Sequence, residues 1–280
     1  MGTALVCGGG GVTGIAWEVG ILAGLADTGI DLAGADTVIG TSAGSFVGAG
    51  VAGGVPLDDL YASQLADLPA DRDGFAKLGW GAVAAWSWAA ATSWDPVRAR
   101  ARVGAMALRT ATMPEADRRA VIAARLPVSA WPERDLRVVA VEAVSGGTTV
   151  FTRASGVSIV DAVGASCAVP GVWPPVTIDG NRYIDGGVRS TTNVDLAAGC
   201  DPIVLLAPVP RSLGRHGRLD RQVAGLRAAG ARVVVVSPSA AARQAIGRNV
   251  LDPAARAPSA RAGRAQAATV AAAVSAVWSA

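Results

Sequence analysis

Ser42 stands at the centre of Gly40-Thr41-Ser42-Ala43-Gly44, a GxSxG pattern at the point where a short apolar strand gives way to a helix. A strand that turns abruptly into a helix forces the residue at the turn into a strained conformation with its side chain exposed. Neighbours without side chains relieve the crowding. The helix that follows aims the positive end of its dipole at the serine and favours negative charge developing there. The chemistry of such a serine is nucleophilic attack on a carbonyl, given a base to take its proton. The bland alternative is a glycine-containing βα turn in a chain rich in Ala and Gly. The strand–turn–helix context is what the nucleophile reading requires.

The second motif is Gly8-Gly9-Gly10-Gly11-Val12-Thr13-Gly14, directly after an apolar run. Consecutive glycines let backbone N–H groups converge on an anion without steric obstruction. The register Gly9-x-Gly11-x-x-Gly14 also fits a dinucleotide-binding loop. That function needs an acidic residue at the end of the next strand, about 20 residues on. Here the next strand begins with Asp36 and ends in Gly40-Thr41-Ser42. The glycine loop is therefore expected beside the serine, at the carboxyl edge of neighbouring parallel strands, where it can serve as an oxyanion hole.

The third element is Asp185-Gly186-Gly187, a carboxylate at the end of a short strand, followed by two glycines that hold it in an open turn. An ionised Asp can accept the proton of a serine hydroxyl as attack proceeds. By itself Asp-Gly is an ordinary turn dipeptide. The only histidine is His216. Its place after Ser42 and Asp185 obeys the Ser…Asp…His order of an α/β-hydrolase triad. However, Arg211, Arg215 and Arg218 surround it and repel an imidazolium. No strand leads into this polar stretch, which favours a solvent-exposed loop histidine.

The elements that must position these residues follow from pattern. Thr3–Cys7 and Asp36–Gly40 are predicted strands, Ile15–Thr28 and Ala43–Ala52 predicted helices. That alternation makes parallel βαβ units with right-handed crossovers. Strands are predicted again at Leu136–Val144 and Thr148–Arg153, joined by a hairpin at Gly146-Gly147. A helix over Ser158–Cys167 leads to a hairpin of Val176–Ile178 and Arg182–Ile184. Ile203–Ala207 and Arg232–Ser237 read as buried strands, and the tail from Ala262 as a helix. The fold class is α/β, with a parallel-rich central sheet and helices on both faces. Residues 56–130 carry Ala, Arg and Trp without strand signals and are expected to form a helical cap or insertion within one domain spanning 1–280.

Composition limits the rest. The chain has 280 residues, 51% of them hydrophobic, which is enough for one large core. A net charge of +3 is too weak a bias for nucleic acid as a partner. Cys7, Cys167 and Cys200 are too widely spaced for a disulfide framework or a zinc site, so no metal or other cofactor is expected. No leader with a cleavage site precedes the first strand, and no apolar run reaches the roughly 18 residues that cross a bilayer. A cytoplasmic location is expected, with peripheral attachment to a membrane left open. Trp80, Trp86, Trp88 and Trp94 fall within Gly79–Trp94. They fit either an interfacial or acyl-contacting surface or the core of a cap helix.

Taken in order, the glycine loop, Gly40-Thr41-Ser42-Ala43-Gly44 and Asp185-Gly186-Gly187 resemble the patatin-like phospholipase family. The run Ala165-Ser166-Cys167-Ala168-Val169-Pro170-Gly171, leading through Pro174-Pro175 to Tyr183-Ile184-Asp185, is similar to that family's approach to its catalytic aspartate. The resemblance covers roughly residues 3 to 210. It implies a three-layer α/β/α fold and a serine ester hydrolase of the phospholipase A or lipid esterase type. It also implies a Ser42–Asp185 dyad without histidine, an acyl-enzyme intermediate and oxyanion donors from Gly9, Gly10 and Gly11. Lipid or another acyl ester is the implied substrate. Thr13 stands where the family's loop often carries a basic residue, which weakens the case for a phosphate headgroup. A Ser42–Asp185–His216 triad and a lipid-binding module without catalysis are the competing readings.

Overall fold

Four-residue runs such as Ala4-Leu5-Val6-Cys7 and Val233-Val234-Val235-Val236 are too short for stable helices and apolar on both faces, the pattern of strands buried in a parallel sheet. The computed structural model, which describes residues 2–66, 95–210 and 218–278, places them so. The strands are β1 (Ala4–Cys7), β2 (Thr37–Thr41), β3 (Asp135–Glu142), β4 (Thr148–Phe151), β5 (Val176–Ile178), β6 (Asn181–Asp185), β7 (Ile203–Leu206) and β8 (Val233–Val236). They form one sheet in the order β5-β6-β3-β2-β1-β7-β8, with β4 paired to β3. β3, β2, β1, β7 and β8 run parallel; β4 and β6 are antiparallel to β3, and β5 and β6 form a hairpin.

The helices are α1 (Gly11–Asp27), α2 (Ala43–Ala52), α3 (Leu57–Leu65), α4 (Pro96–Ala107), α5 (Glu115–Arg125), α6 (Ile159–Ser166), α7 (Leu219–Ala228), α8 (Ala240–Ile246) and α9 (Arg256–Trp278). Alternation along β1 divides the core. Leu5 and Cys7 face a cluster with α1, α2, α6 and α9, whereas Ala4 and Val6 face a smaller one containing Val223 and Leu226 of α7. The result is three layers, helix on sheet on helix.

The pairing of α1 with α9 fixes the first layer. A Cβ on Gly20 would stand 2.2 Å from the Ala260 carbonyl oxygen, and one on Gly263 would stand 2.4 Å from that of Trp17. Backbones can approach this closely only where side chains are missing. Trp17, fully buried, donates its indole N–H to Gln266 Oε1 at 3.1 Å across the same seam.

Several boundaries differ from the pattern reading. α1 begins at Gly11, not Ile15, so the loop proper is only Gly8–Gly10; four glycines did not deter a helix whose buried face packs on α9. α7 and α8 were not anticipated. Of residues 56–130, the described parts are helical and pack at separate places. α3 lies on α1 and α9, α4 on β3 and β6, and α5 on α6. The tryptophan cluster Trp80–Trp94 and His216 lie outside the described residues.

Candidate active site

Ser42 caps the N-terminus of α2 with φ 52° and ψ −121°, one of three non-glycine residues at positive φ among the described residues. Positive φ at a residue with a Cβ is strained, so the surroundings must impose it. The flanking glycines show how. A Cβ on Gly44 would stand 2.0 Å from the Cys7 carbonyl oxygen, and one on Gly40 would stand 2.5 Å from Ser45 Cα. α2 therefore starts directly against the end of β1. The Ser42 N–H donates to Ser166 Oγ at 2.9 Å, and that hydroxyl donates onward to the Val139 carbonyl at 2.6 Å. Ser45 Oγ donates to the Ser42 carbonyl at 2.6 Å. The backbone of the turn is thus held from both sides, leaving the side chain to the cleft.

Asp185 ends β6. It registers with Ala140 of β3, and Thr41, which precedes the serine, registers with the adjacent Val139. This register brings the carboxyl close enough to the serine for the Ser42 side chain to lower its pKa. Asp185 is 5% exposed. Its Oδ1 accepts the Gly187 N–H at 2.6 Å, and its own N–H donates to Ala168 at 3.0 Å. Burial pushes its pKa up to about 7, against the opposing pull of the Ser42 side chain and the Gly187 N–H. Gly186 is required by packing, since a Cβ there would stand 2.3 Å from the Val139 oxygen.

The glycine loop runs over the serine. A Cβ on Gly9 would lie 3.4 Å from Ser42 Cβ. The Gly9 N–H is donated to the Thr191 carbonyl at 2.7 Å. The N–H groups of Gly10 and Gly11 have no partner among the described residues, and neither has that of Ala43, next after the serine. Gly11 takes φ 61° where a Cβ would stand 2.6 Å from the Val250 oxygen. Gly14 lies in the first turn of α1, near Pro208 and Ala43. Beneath the loop, Glu18 is fully buried and its Oε1 accepts the Gly8 N–H at 2.8 Å. Burial holds its carboxyl well above the usual range. Thr13 is also buried, its hydroxyl turned to the Val250 carbonyl at 3.2 Å.

Cys167 adjoins the pair, with its Sγ 3.6 Å from Ser45 Oγ. Burial, then the nearby Asp185 charge, push its thiol up to about 12, so it remains a thiol and a poor nucleophile. Among the described residues no group of three or more His, Cys, Asp or Glu could hold a metal ion. Pattern reading missed Ser166, Ala43 and Asn193. Ala43 could have been found from its place after the elbow serine. The other two act through contacts formed between elements far apart in the chain.

An α/β sheet that gathers a strained serine, a buried carboxyl and a glycine loop at one edge defines the class to which this protein belongs. Within that class the model of the patatin-like phospholipase family matches residues 5–198, and the chain belongs to this family of lipid hydrolases. Among solved structures it is similar to VipD from Legionella pneumophila, with 13% identity and a TM-score of 0.48, covering 97% of this chain and 67% of that one. It is also similar to the type III effector protein ExoU, with 15% identity and a TM-score of 0.41, covering 97% and 53%. The chain thus spans about half the length of ExoU. No curated protein matches it. No helix of the described residues is long and apolar enough to cross a membrane.

Proposed function

We propose that the protein cleaves carboxylic esters of lipids, with Ser42 as nucleophile, Asp185 as its base and the whole chain as one acyl hydrolase domain. The observation that carries this reading is the strained Ser42 beside a buried carboxyl whose pKa lies near 7. A base of that strength is half ionised at neutral pH, which suits proton transfer in both directions.

Ser42 Oγ bonds to the ester carbonyl carbon while Asp185 takes the hydroxyl proton. The carbonyl π pair moves onto oxygen, and the oxyanion meets the open N–H groups of Gly10, Gly11 and Ala43. Each such donor commonly contributes about 3 kcal/mol to the transition state. Gly9 contributes clearance, since it lies closest over the serine without a side chain. The C–O bond to the alcohol then breaks, and Asp185 returns its proton to the leaving oxygen. Water attacks the acyl-serine with Asp185 again as base, releasing the fatty acid and restoring Ser42. Contact with the lipid surface is peripheral in this scheme.

Purified protein incubated with defined phospholipids, neutral lipids and p-nitrophenyl acyl esters tests the reading, with products identified by mass spectrometry. Fatty acid release by wild type and none by Ser42→Ala is expected. A wild type that binds these lipids but releases no fatty acid from any of them is a lipid-binding module instead.

A further inference from the structure

Asn193 touches neither residue of the dyad, yet its side chain meets the chain neighbour of each. It is fully buried and sits in the left-handed region at φ 49° and ψ 32°, where asparagine is tolerated better than most residues. Its Nδ2 donates to Thr41 Oγ1 at 3.0 Å, to the Gly186 carbonyl at 3.2 Å and to the Ser190 carbonyl at 2.8 Å. Thr41 precedes Ser42 and Gly186 follows Asp185. Its Oδ1 accepts from Arg189 Nη1 at 2.6 Å. Because arginine only donates, this contact fixes which end of the amide faces the dyad.

The amide is itself anchored. Arg189 pairs with both oxygens of Asp195, at 2.9 and 2.5 Å, and Gln222 Nε2 donates to Asp195 Oδ1 at 2.8 Å. The Asn193 N–H donates to Ser190 Oγ at 3.1 Å. A buried network in which each member is satisfied holds one arrangement and resists small shifts. Here it ties the end of the nucleophile strand to the turn that carries the base.

We infer that Asn193 is a positioning residue that sets the spacing between Ser42 and Asp185 by bonding Thr41 and Gly186 at once. The inference rests on the dyad reading above. Misplacement of reacting groups by about 1 Å can cost on the order of 100-fold in rate. Loosening the bridge also weakens the interaction with Ser42 that holds the Asp185 pKa down. The midpoint of the pH–rate profile then moves upward.

Thr41→Val tests this with the least disturbance, because it keeps the shape, adds no charge and removes only the hydroxyl, which accepts from Asn193 and donates to the Thr192 carbonyl at 3.4 Å. With p-nitrophenyl butyrate, kcat is expected to fall roughly 10- to 100-fold with KM nearly unchanged, the pH midpoint to rise, and Thr41→Ser to restore both. Should Thr41→Val fail to fold, Asn193→Asp serves. It keeps the acceptor for Arg189 and the tolerance for positive φ but cannot donate, and the same split between kcat and KM is expected. A folded variant with wild-type kcat and pH midpoint overturns the inference while leaving the dyad intact. A wild type without Ser42-dependent turnover overturns the dyad reading and this inference with it.

Discussion

Ser42 lies beside Asp185, a carboxyl so buried that its pKa lies near 7 instead of near 4, and the serine side chain pulls that pKa down. In the proposed mechanism only the ionised carboxylate can take the serine proton. Activity on a neutral ester should therefore rise with pH along a single ionisation centred near 7 and level off above about pH 8. A profile of kcat/KM against pH checks this. A rate already maximal at pH 5 would contradict an Asp185 base with a raised pKa.

The same burial has a cost in stability. Asp185 has a folded pKa above its unfolded value of 3.8, so its contribution is fully present below that value and is lost as pH climbs through about 7. Asp185→Asn removes the titration. This variant should melt near wild type at pH 4 and above it at pH 8, by up to about 4 kcal/mol, while losing nearly all turnover. Paired thermal melts at the two pH values check it, and an identical gap at both would contradict it.

Much of this was readable from residue order because it depends on local geometry. Gly40 and Gly44 announce a turn only glycine permits, and the short apolar runs announce a parallel sheet. Asp185 was readable because a strand and two glycines frame it, although only the pairing of β6 with β3, and of β3 with β2, brings it to the edge where Ser42 stands. What could not be read depends on contacts between distant segments. Thr191 takes the Gly9 N–H, Ser166 takes that of Ser42, and Asn193 joins two turns. The start of α1 at Gly11 was hidden too, since local propensity disfavours a helix there and packing against α9 overrides it.

Glycine substitutions around the serine should separate packing from catalysis. Gly44→Ala forces a methyl to within 2.0 Å of the Cys7 oxygen, with backbone on both sides and no room to yield. It should abolish soluble expression or cost several kcal/mol. Gly9→Ala places its methyl in ordinary contact with Ser42 Cβ at 3.4 Å. It should fold, with a melting temperature close to wild type, and lose rate because the methyl occupies space above the nucleophile. Expression yield, melts and p-nitrophenyl butyrate kinetics on the two variants distinguish these outcomes.

Glu18 offers a test of the support beneath the loop. One carboxyl oxygen accepts the Gly8 N–H, and the other, Oε2, is buried without a partner among the described residues. Burial raises its pKa, so its stabilising contribution is greatest in acid and is lost as pH rises. Glu18→Gln keeps the acceptor, stays neutral and should gain in stability relative to wild type as pH rises above 4.5. Glu18→Ala should cost roughly 2–4 kcal/mol through the cavity it leaves. Denaturant melts across pH check both, and a Gln variant weaker than wild type at pH 9 would mean that the carboxyl is ionised in place.

The central claim is that Ser42 is the nucleophile and Asp185 its base, and covalent labelling tests it most directly. Wild type, Ser42→Ala, Asp185→Asn and His216→Ala are treated with a fluorophosphonate, and the rate and site of phosphonylation are read by intact mass and peptide mapping. Labelling of wild type and His216→Ala at Ser42 at similar rates is predicted, with none in Ser42→Ala and a loss of roughly 100-fold or more in Asp185→Asn. Labelling at another residue, or a His216→Ala variant as slow as Asp185→Asn, would contradict the account.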